Sequence, residues 1–249
     1  MEPKKFLILL FYYNRPNLVK HGLRSILAQS YQNWEIGIVD DGSETPVEPI
    51  VKEMFGDSKK VRVYRCNDTV AEKMARGGIN GSMMGKWGND VIENSDADYV
   101  VMLCDDDALY GEYLQSLASY FESHPDENYV YSHIKPYNPT IEDPKEPMAM
   151  QPHSLNKTDK ICPYYALDFS QITFRRGPAM EKNIKFPFPL TVNIDAEFFL
   201  QMHTHWGNVA FSGFVGQYKA VYPDNLSHRM GSILGHRNTD VHVYEIGVK

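Results

Sequence analysis

The stretch Tyr99-Val100-Val101-Met102-Leu103-Cys104-Asp105-Asp106-Asp107 decides the fold. Its unbroken apolar run has the character of a central strand covered on both faces, as parallel sheets require. Three carboxylates then follow without a spacer. The chain therefore passes in one step from a buried strand to a polar loop.

Upstream, Phe6–Tyr12 is a second continuous apolar run, and it breaks at Asn14-Arg15-Pro16. Pro16 suits a first helical turn, and Leu18, Val19, Leu23, Ile26 and Leu27 recur at helical spacing through Gln29. Glu35–Val39 predicts another short strand, which stops at the turn composition Asp40-Asp41-Gly42-Ser43. A helix is expected from about Pro46 to Phe55 and a strand over Val61–Tyr64. Ala71–Asn94 reads as helical in parts, broken by Gly77, Gly78, Gly81, Gly85 and Gly88. Tyr113–Phe121 follows the acidic run as a helix with Leu114, Leu117 and Phe121 on one face. Strands alternating with helices predict an α/β fold with a mostly parallel central sheet flanked by helices, Rossmann-like in its connections.

The second half is less regular. After Tyr129–Ser132 the proline-rich stretch 136–163 has no periodicity, and so long an aperiodic stretch reads as a functional excursion. Order returns at Ala166–Arg175, and Asp195–His203 is expected to be helical.

Composition bounds the function. The 249 residues, 43% hydrophobic and 23% charged, suit a globular protein with a substantial core. A net charge of −7 argues against gripping nucleic acid through its phosphates, so no nucleic-acid partner is expected. Cys66, Cys104 and Cys162 show no CxxC spacing and are odd in number, which fits a reducing, cytoplasmic setting. Lys4-Lys5 before Phe6–Tyr13 imitates the start of a signal peptide, but no small-residue cleavage site follows. The run is also much shorter than the roughly 20 apolar residues of a membrane span, so no transmembrane segment is expected.

Ligands of open parallel sheets bind beyond the carboxyl ends of the strands. Three clusters have that address here: Tyr12-Tyr13-Asn14, Asp40-Asp41 and Asp105-Asp106-Asp107. Adjacent carboxylates repel, so the triple aspartate requires solvent or a counter-charge. A hard cation such as Mn²⁺ or Mg²⁺ supplies one and can bridge two phosphates. A solvated turn ahead of the Tyr113 helix is the competing reading. The glycines between Gly77 and Gly88 form neither GxGxxG nor a P-loop.

At this point a resemblance becomes specific. Tyr13-Asn14-Arg15-Pro16, Ser25-Ile26-Leu27-Ala28-Gln29-Ser30-Tyr31, Trp34-Glu35-Ile36 and Val39-Asp40-Asp41-Gly42-Ser43 resemble, without gaps, the opening of family 2 glycosyltransferases of the GT-A fold. Asn89 and the stretch from Tyr99 through the acidic run are similar to the next part of that family. Asn193-Ile194-Asp195-Ala196-Glu197-Phe198-Phe199 resembles its base-carrying segment, with the spore-coat polysaccharide branch nearest in character. Ser227-His228-Arg229 with Gly231-Ser232 is similar to a C-terminal histidine motif.

The resemblance implies one GT-A domain over 1–249. Residues 1–110 would form the nucleotide-sugar half and 111–235 the acceptor and catalytic half, while 236–249 would be a tail leading into further sequence. It implies a metal-dependent inverting transfer from a nucleotide-diphosphate sugar, UDP- or dTDP-linked, to a hydroxyl of a glycan or polysaccharide acceptor. Tyr12, Tyr13, Asn14 and Arg15 would lie at the donor. Tyr13 would stack on the base, Asp41 would accept a hydrogen bond from it, and Asp105 would hold the ribose. Asp106 would coordinate Mn²⁺ or Mg²⁺, with Asp107 and His228 as further ligands or neighbours of the site. Cys104 stands where many members carry the first aspartate of the metal motif, which leaves the assignment within 105–107 open by one position. Lys86 or Arg76 would neutralise the diphosphate, or else lie on a solvated face. Asp168 would touch the sugar. Asp195 would remove the proton from the acceptor hydroxyl. Two rivals stay open: a nucleotidyltransferase, and a sugar-nucleotide or carbohydrate-binding module without turnover.

Overall fold

A computed structural model describes residues 3–67, 72, 83–137, 160–164, 167–188 and 194–220. Its strands are β1 (Phe6–Tyr12), β2 (Trp34–Asp40), β3 (Val61–Arg65), β4 (Tyr99–Cys104), β5 (Ala108–Leu109), β6 (Tyr129–Tyr137), β7 (Ile172–Arg175) and β8 (Ala210–Ala220). Its helices, numbered here in chain order, are α1 (Val19–Leu27), α2 (Glu48–Phe55), α3 (Met84–Glu93), α4 (Tyr113–Ser123), α5 (Arg176–Glu181) and α6 (Ile194–Trp206). All eight strands join one sheet in the order β3-β2-β1-β4-β7-β6-β8-β5.

The first four strands are parallel, as the apolar runs predict. Beyond β4 the sheet is mixed: β7 is antiparallel to both β4 and β6, β6 runs parallel to β8, and β5 is antiparallel to β8. The parallel half and the mixed half thus meet at β4, the strand that carries the acidic run.

Period-two alternation sorts the side chains of β1 between two cores. Phe6, Ile8, Leu10 and Tyr12 pack with α1, α2 and α4 on one face. Leu7, Leu9 and Phe11 pack with α3, α5 and α6 on the other. Every residue of β1 and β2 is buried, so neither strand has a solvent face, and each large side chain removed from water contributes about 1.5–3 kcal/mol. Helix α1 presses closely on the acidic loop. A Cβ at Gly22 would come within 2.8 Å of the Asp107 carbonyl oxygen, so a residue without a side chain is what permits the approach.

Several sequence expectations change. The helix read from Pro16 begins at Val19, because Leu18 and Val19 first close a turn onto the Arg15 carbonyl. The strand read as Tyr129–Ser132 runs on to Tyr137, and β5, α5 and β8 were not foreseen at all. Among the described residues no helix is long and apolar enough to cross a membrane.

Candidate functional site

The register of the parallel strands builds the site. Phe11 pairs with Cys104 and Tyr12 with Asp40, so Tyr13, Asp41 and Asp105 leave the sheet side by side at its carboxyl edge. Asp105 ties two of these exits together. Its Oδ2 accepts from the Tyr13 amide at 2.8 Å, and its Oδ1 accepts from Arg15 Nη1 at 2.8 Å. The same guanidinium nitrogen reaches Asp106 Oδ2 at 3.0 Å, so one cation bridges two of the three acids. Burial pushes the Asp105 carboxyl up to about 6, against the pull of Arg15 and the Tyr13 amide.

Adjacent acids divide their work by the same alternation. Asp40 is sealed beneath the loop, accepting from the Ser43 and Val47 amides and from Arg65 at 2.8 Å. Asp41 is held to β1 by its own amide on the Tyr12 carbonyl, and its Oδ1 accepts from the Met83 amide at 3.3 Å. Tyr13 is 51% exposed at this edge, an aromatic surface beside buried carboxylates.

Three of the residues expected at the donor make contacts within the protein. Tyr12 belongs to the core face of β1: it is 1% exposed and its hydroxyl donates to the Thr45 carbonyl at 2.7 Å, so its side chain is not a donor contact. Asn14, in left-handed conformation (φ 53), accepts with its side chain from the Glu44 amide at 2.7 Å and braces the loop after β2. Lys86 pairs with Asp90 at 2.6 Å on its own helix and lies 4.0 Å from the Trp87 ring centroid.

The last acid of the run is engaged differently from its neighbours. Asp107 is wholly buried, with Oδ1 accepting from the Ala220 amide at 3.0 Å. Its Oδ2 lies 3.0 Å from the Ser170 hydroxyl and 3.1 Å from Lys219 Nζ. Protein donors thus take both oxygens, which departs from its reading as a metal ligand. Burial raises the Asp107 carboxyl, with Lys219 opposing. Asp168 caps the 169–171 turn and is 3.2 Å from the same Lys219 Nζ. Burial works to raise Asp168, but Lys219 and Ser170 outweigh it and hold the carboxyl below its ordinary value.

Lys219 was missed by sequence reasoning. Its strand is interrupted by Gly213 and Gly216 and carries polar residues, which hid the apolar alternation. A lysine near the end of a half-buried strand was the available signal.

Asp195 opens α6, where its Oδ1 accepts from the Ala196 amide at 2.8 Å. Burial pushes its carboxyl above the ordinary range; the charge of Asp168 adds to this, and that of Lys219 opposes it. His228, Arg76 and Asn193 lie outside the described residues.

A divalent cation was expected here. Among the described residues no three His, Cys, Asp or Glu side chains group as a metal cage. A Mg²⁺-type ion needs no such cage when one or two carboxylates share it with substrate phosphates. The carboxylate of Asp106, at the rim of the strand ends, is chemically suited to that arrangement.

Residues 8–74 match the family described as Glycosyl transferase family 2. Protein CgeD of Bacillus subtilis is 24% identical over 132 residues, 53% of this chain and 30% of its own. An uncharacterized glycosyltransferase of Haemophilus influenzae is 27% identical over 108 residues, 43% of this chain and 38% of its own. Among solved structures, S. aureus TarS 1-349 in complex with UDP-GlcNAc superposes with a TM-score of 0.67 at 17% identity, over 89% of this chain and 60% of that one. The chain therefore spans well under half the length of these curated relatives, and the likeness to TarS is one of fold.

Proposed function

We infer that this chain, a family 2 glycosyltransferase by its match over residues 8–74 and of GT-A type by its fold, transfers a sugar from a nucleotide-diphosphate donor to a hydroxyl acceptor. The observation that carries this reading is the shared exit of Tyr13, Asp41 and Asp105 from neighbouring parallel strands, the address at which such sheets bind nucleotides. A UDP-linked sugar is the proposed donor and a glycan or polysaccharide the proposed acceptor. The match of S. aureus TarS, solved with UDP-GlcNAc, supports the first of these.

In this reading the exposed ring of Tyr13 stacks on the base and Asp41 accepts a hydrogen bond from it, which favours uracil. Asp105 accepts from the ribose hydroxyls, held in place by the Tyr13 amide and Arg15. Asp106 would hold Mn²⁺ or Mg²⁺, whose charge offsets that of the departing diphosphate. Arg15, already between Asp105 and Asp106, stands ready to take part of the phosphate charge. Asp195 removes the acceptor proton as that oxygen attacks the anomeric carbon, with inversion. Burial suits it to the task, because a raised carboxyl is a stronger base.

The test is a panel of nucleotide sugars with Mn²⁺, assayed for transfer or donor hydrolysis. Asp195→Asn should lower turnover by about 10²–10⁴-fold while UDP affinity stays within about threefold. Equal turnover in that variant removes Asp195 as the base. UDP titrated by calorimetry with and without Mn²⁺ should bind more tightly with the metal, and equal affinities would remove Asp106 as a ligand. Donor binding without any turnover across the panel would favour a binding module.

A further inference from the structure

Burying a lysine is expensive, because the ammonium gives up its hydration and the side chain its freedom. An apolar side chain at the end of β8 would cost less. Lys219 is nonetheless 18% exposed, with its ammonium between Asp107 Oδ2 at 3.1 Å and Asp168 Oδ1 at 3.2 Å. The Ser170 hydroxyl lies between the same two oxygens, 3.0 Å from one and 2.7 Å from the other. The next backbone amide, that of Ala220, donates to the second oxygen of Asp107. Three separate segments converge on this cluster: the loop after β4, the 169–171 turn, and the end of β8.

These segments have different duties in the proposed reaction. The loop after β4 continues from Asp105 and Asp106, which face the donor. The end of β8 lies in the mixed half of the sheet, and the turn that Asp168 caps packs through Phe169 on Phe186, which stacks on Phe198 of α6, the helix that carries Asp195. Without a cation the buried Asp107 and the part-exposed Asp168 carboxylates repel each other, and the one proton of the Ser170 hydroxyl between them can serve only one at a time.

We propose that Lys219 is a positioning residue for sugar transfer: its ammonium clamps Asp107 to Asp168 and so fixes the acidic run that receives the donor relative to the base. The inference rests on the glycosyltransferase reading and deepens it, since Lys219 need touch neither substrate. It separates the acids of the run by duty, Asp105 and Asp106 for the donor and Asp107 for alignment. It also predicts that the two halves of the site lose their mutual geometry before either loses its own binding.

Lys219→Met and Lys219→Arg test this, each assayed with Mn²⁺ and the donor that the wild-type protein turns over, and each titrated with UDP. A misplacement of about an ångström is enough to cost on the order of 10²-fold, so Lys219→Met should lower kcat by about 30-fold or more. Donor KM and UDP affinity should stay within about threefold, as expected when only transition-state alignment is lost. Lys219→Arg keeps the charge but not the shape. It should fold, bind UDP normally and fall between the wild type and Lys219→Met, about 3- to 10-fold down in kcat. Wild-type kcat in either variant overturns the proposal. So does a loss of UDP affinity that matches the loss of turnover, which would mark Lys219 as merely structural. If Lys219→Met fails to fold, Lys219→Arg alone decides by the same criteria. The two readings also fail differently. A wild-type protein that turns over no donor removes the transferase reading and this role together, whereas an active wild type with an unchanged variant removes the role of Lys219 alone.

Discussion

Asp105 is almost fully buried, yet holding a ribose asks it to stay charged. Burial pushes its carboxyl from 3.8 up to about 6, so the folded chain binds that proton more tightly than the unfolded chain does. Stability contributed by this group is present at low pH and is lost as the pH rises from 3.8 through about 6. Asp105→Asn should therefore raise the melting temperature of the donor-free protein at pH 7, with an upper bound of about 3 kcal/mol, and narrow the stability gap between pH 4 and pH 7. The same variant should bind UDP about tenfold or more weakly, the trade between stability and function that a strained site implies. A melting temperature that is unchanged at pH 7 would show that Arg15 already compensates the charge in full. Residues like this one were legible in the sequence because they sit at strand ends. Tyr12 was misread for the same reason: adjacency to Tyr13 suggested a shared task, and the alternation of a strand gave the two rings opposite faces.

Among the elements, Lys185 and Phe186, shortly after α5, are held by side-chain amides in place of a strand partner. Asn89 on α3 accepts from the Phe186 amide at 2.8 Å and donates to its carbonyl at 3.0 Å. Gln201 on α6 does the same for Lys185, at 3.0 Å and 2.8 Å. These two clasps fasten residues 185 and 186 to α3 and α6. Asn89→Ala leaves two backbone groups without their protein partner, at a cost of about 1–3 kcal/mol. It should appear as a lower denaturant midpoint with an unchanged m-value; a midpoint that does not move would mean that water replaces the amide without loss. Nothing in the local sequence announces such clasps, because Asn89 and Gln201 act on residues 97 and 16 positions away. For the same reason β8 escaped notice: its fit depends on β6 and β5, with register shifts opposite Tyr131–Ile134, and long-range pairing leaves a weak local trace.

Across the whole molecule, the parallel half was readable and the mixed half was not. Strands β1, β2 and β4 are largely apolar because both faces are covered, and the edge strand β3 alternates Val61 and Val63 with Arg62, patterns that need no knowledge of partners. Strands β6, β7 and β8 alternate with polar residues such as Ser132, Thr173 and Gln217, which are buried in each other's company. One sheet nevertheless crosses both halves, and each face has a single core cluster. The described residues should thus unfold together. Trp34 in β2 and Trp87 beside Tyr64 of β3 belong to the parallel half, and Trp206 packs on Tyr129 of β6 in the mixed half, so Trp206→Phe leaves fluorescence from the first and the Trp34→Phe/Trp87→Phe pair leaves it from the second. Both variants should melt with one midpoint that coincides with far-ultraviolet circular dichroism. Two separated midpoints would show that the halves are independent units.

The sorting of Asp40 from Asp41 has a consequence for how such a protein changes over generations. Asp40 carries Arg65 and two amides of its own loop, so replacing it damages the scaffold. Its neighbour Asp41, one residue further along, accepts from the Met83 amide and is the proposed contact of the base. A lineage can therefore explore new nucleotides at position 41 while inheriting its architecture intact at position 40. The boundary between what may vary and what must be kept is a single peptide bond wide.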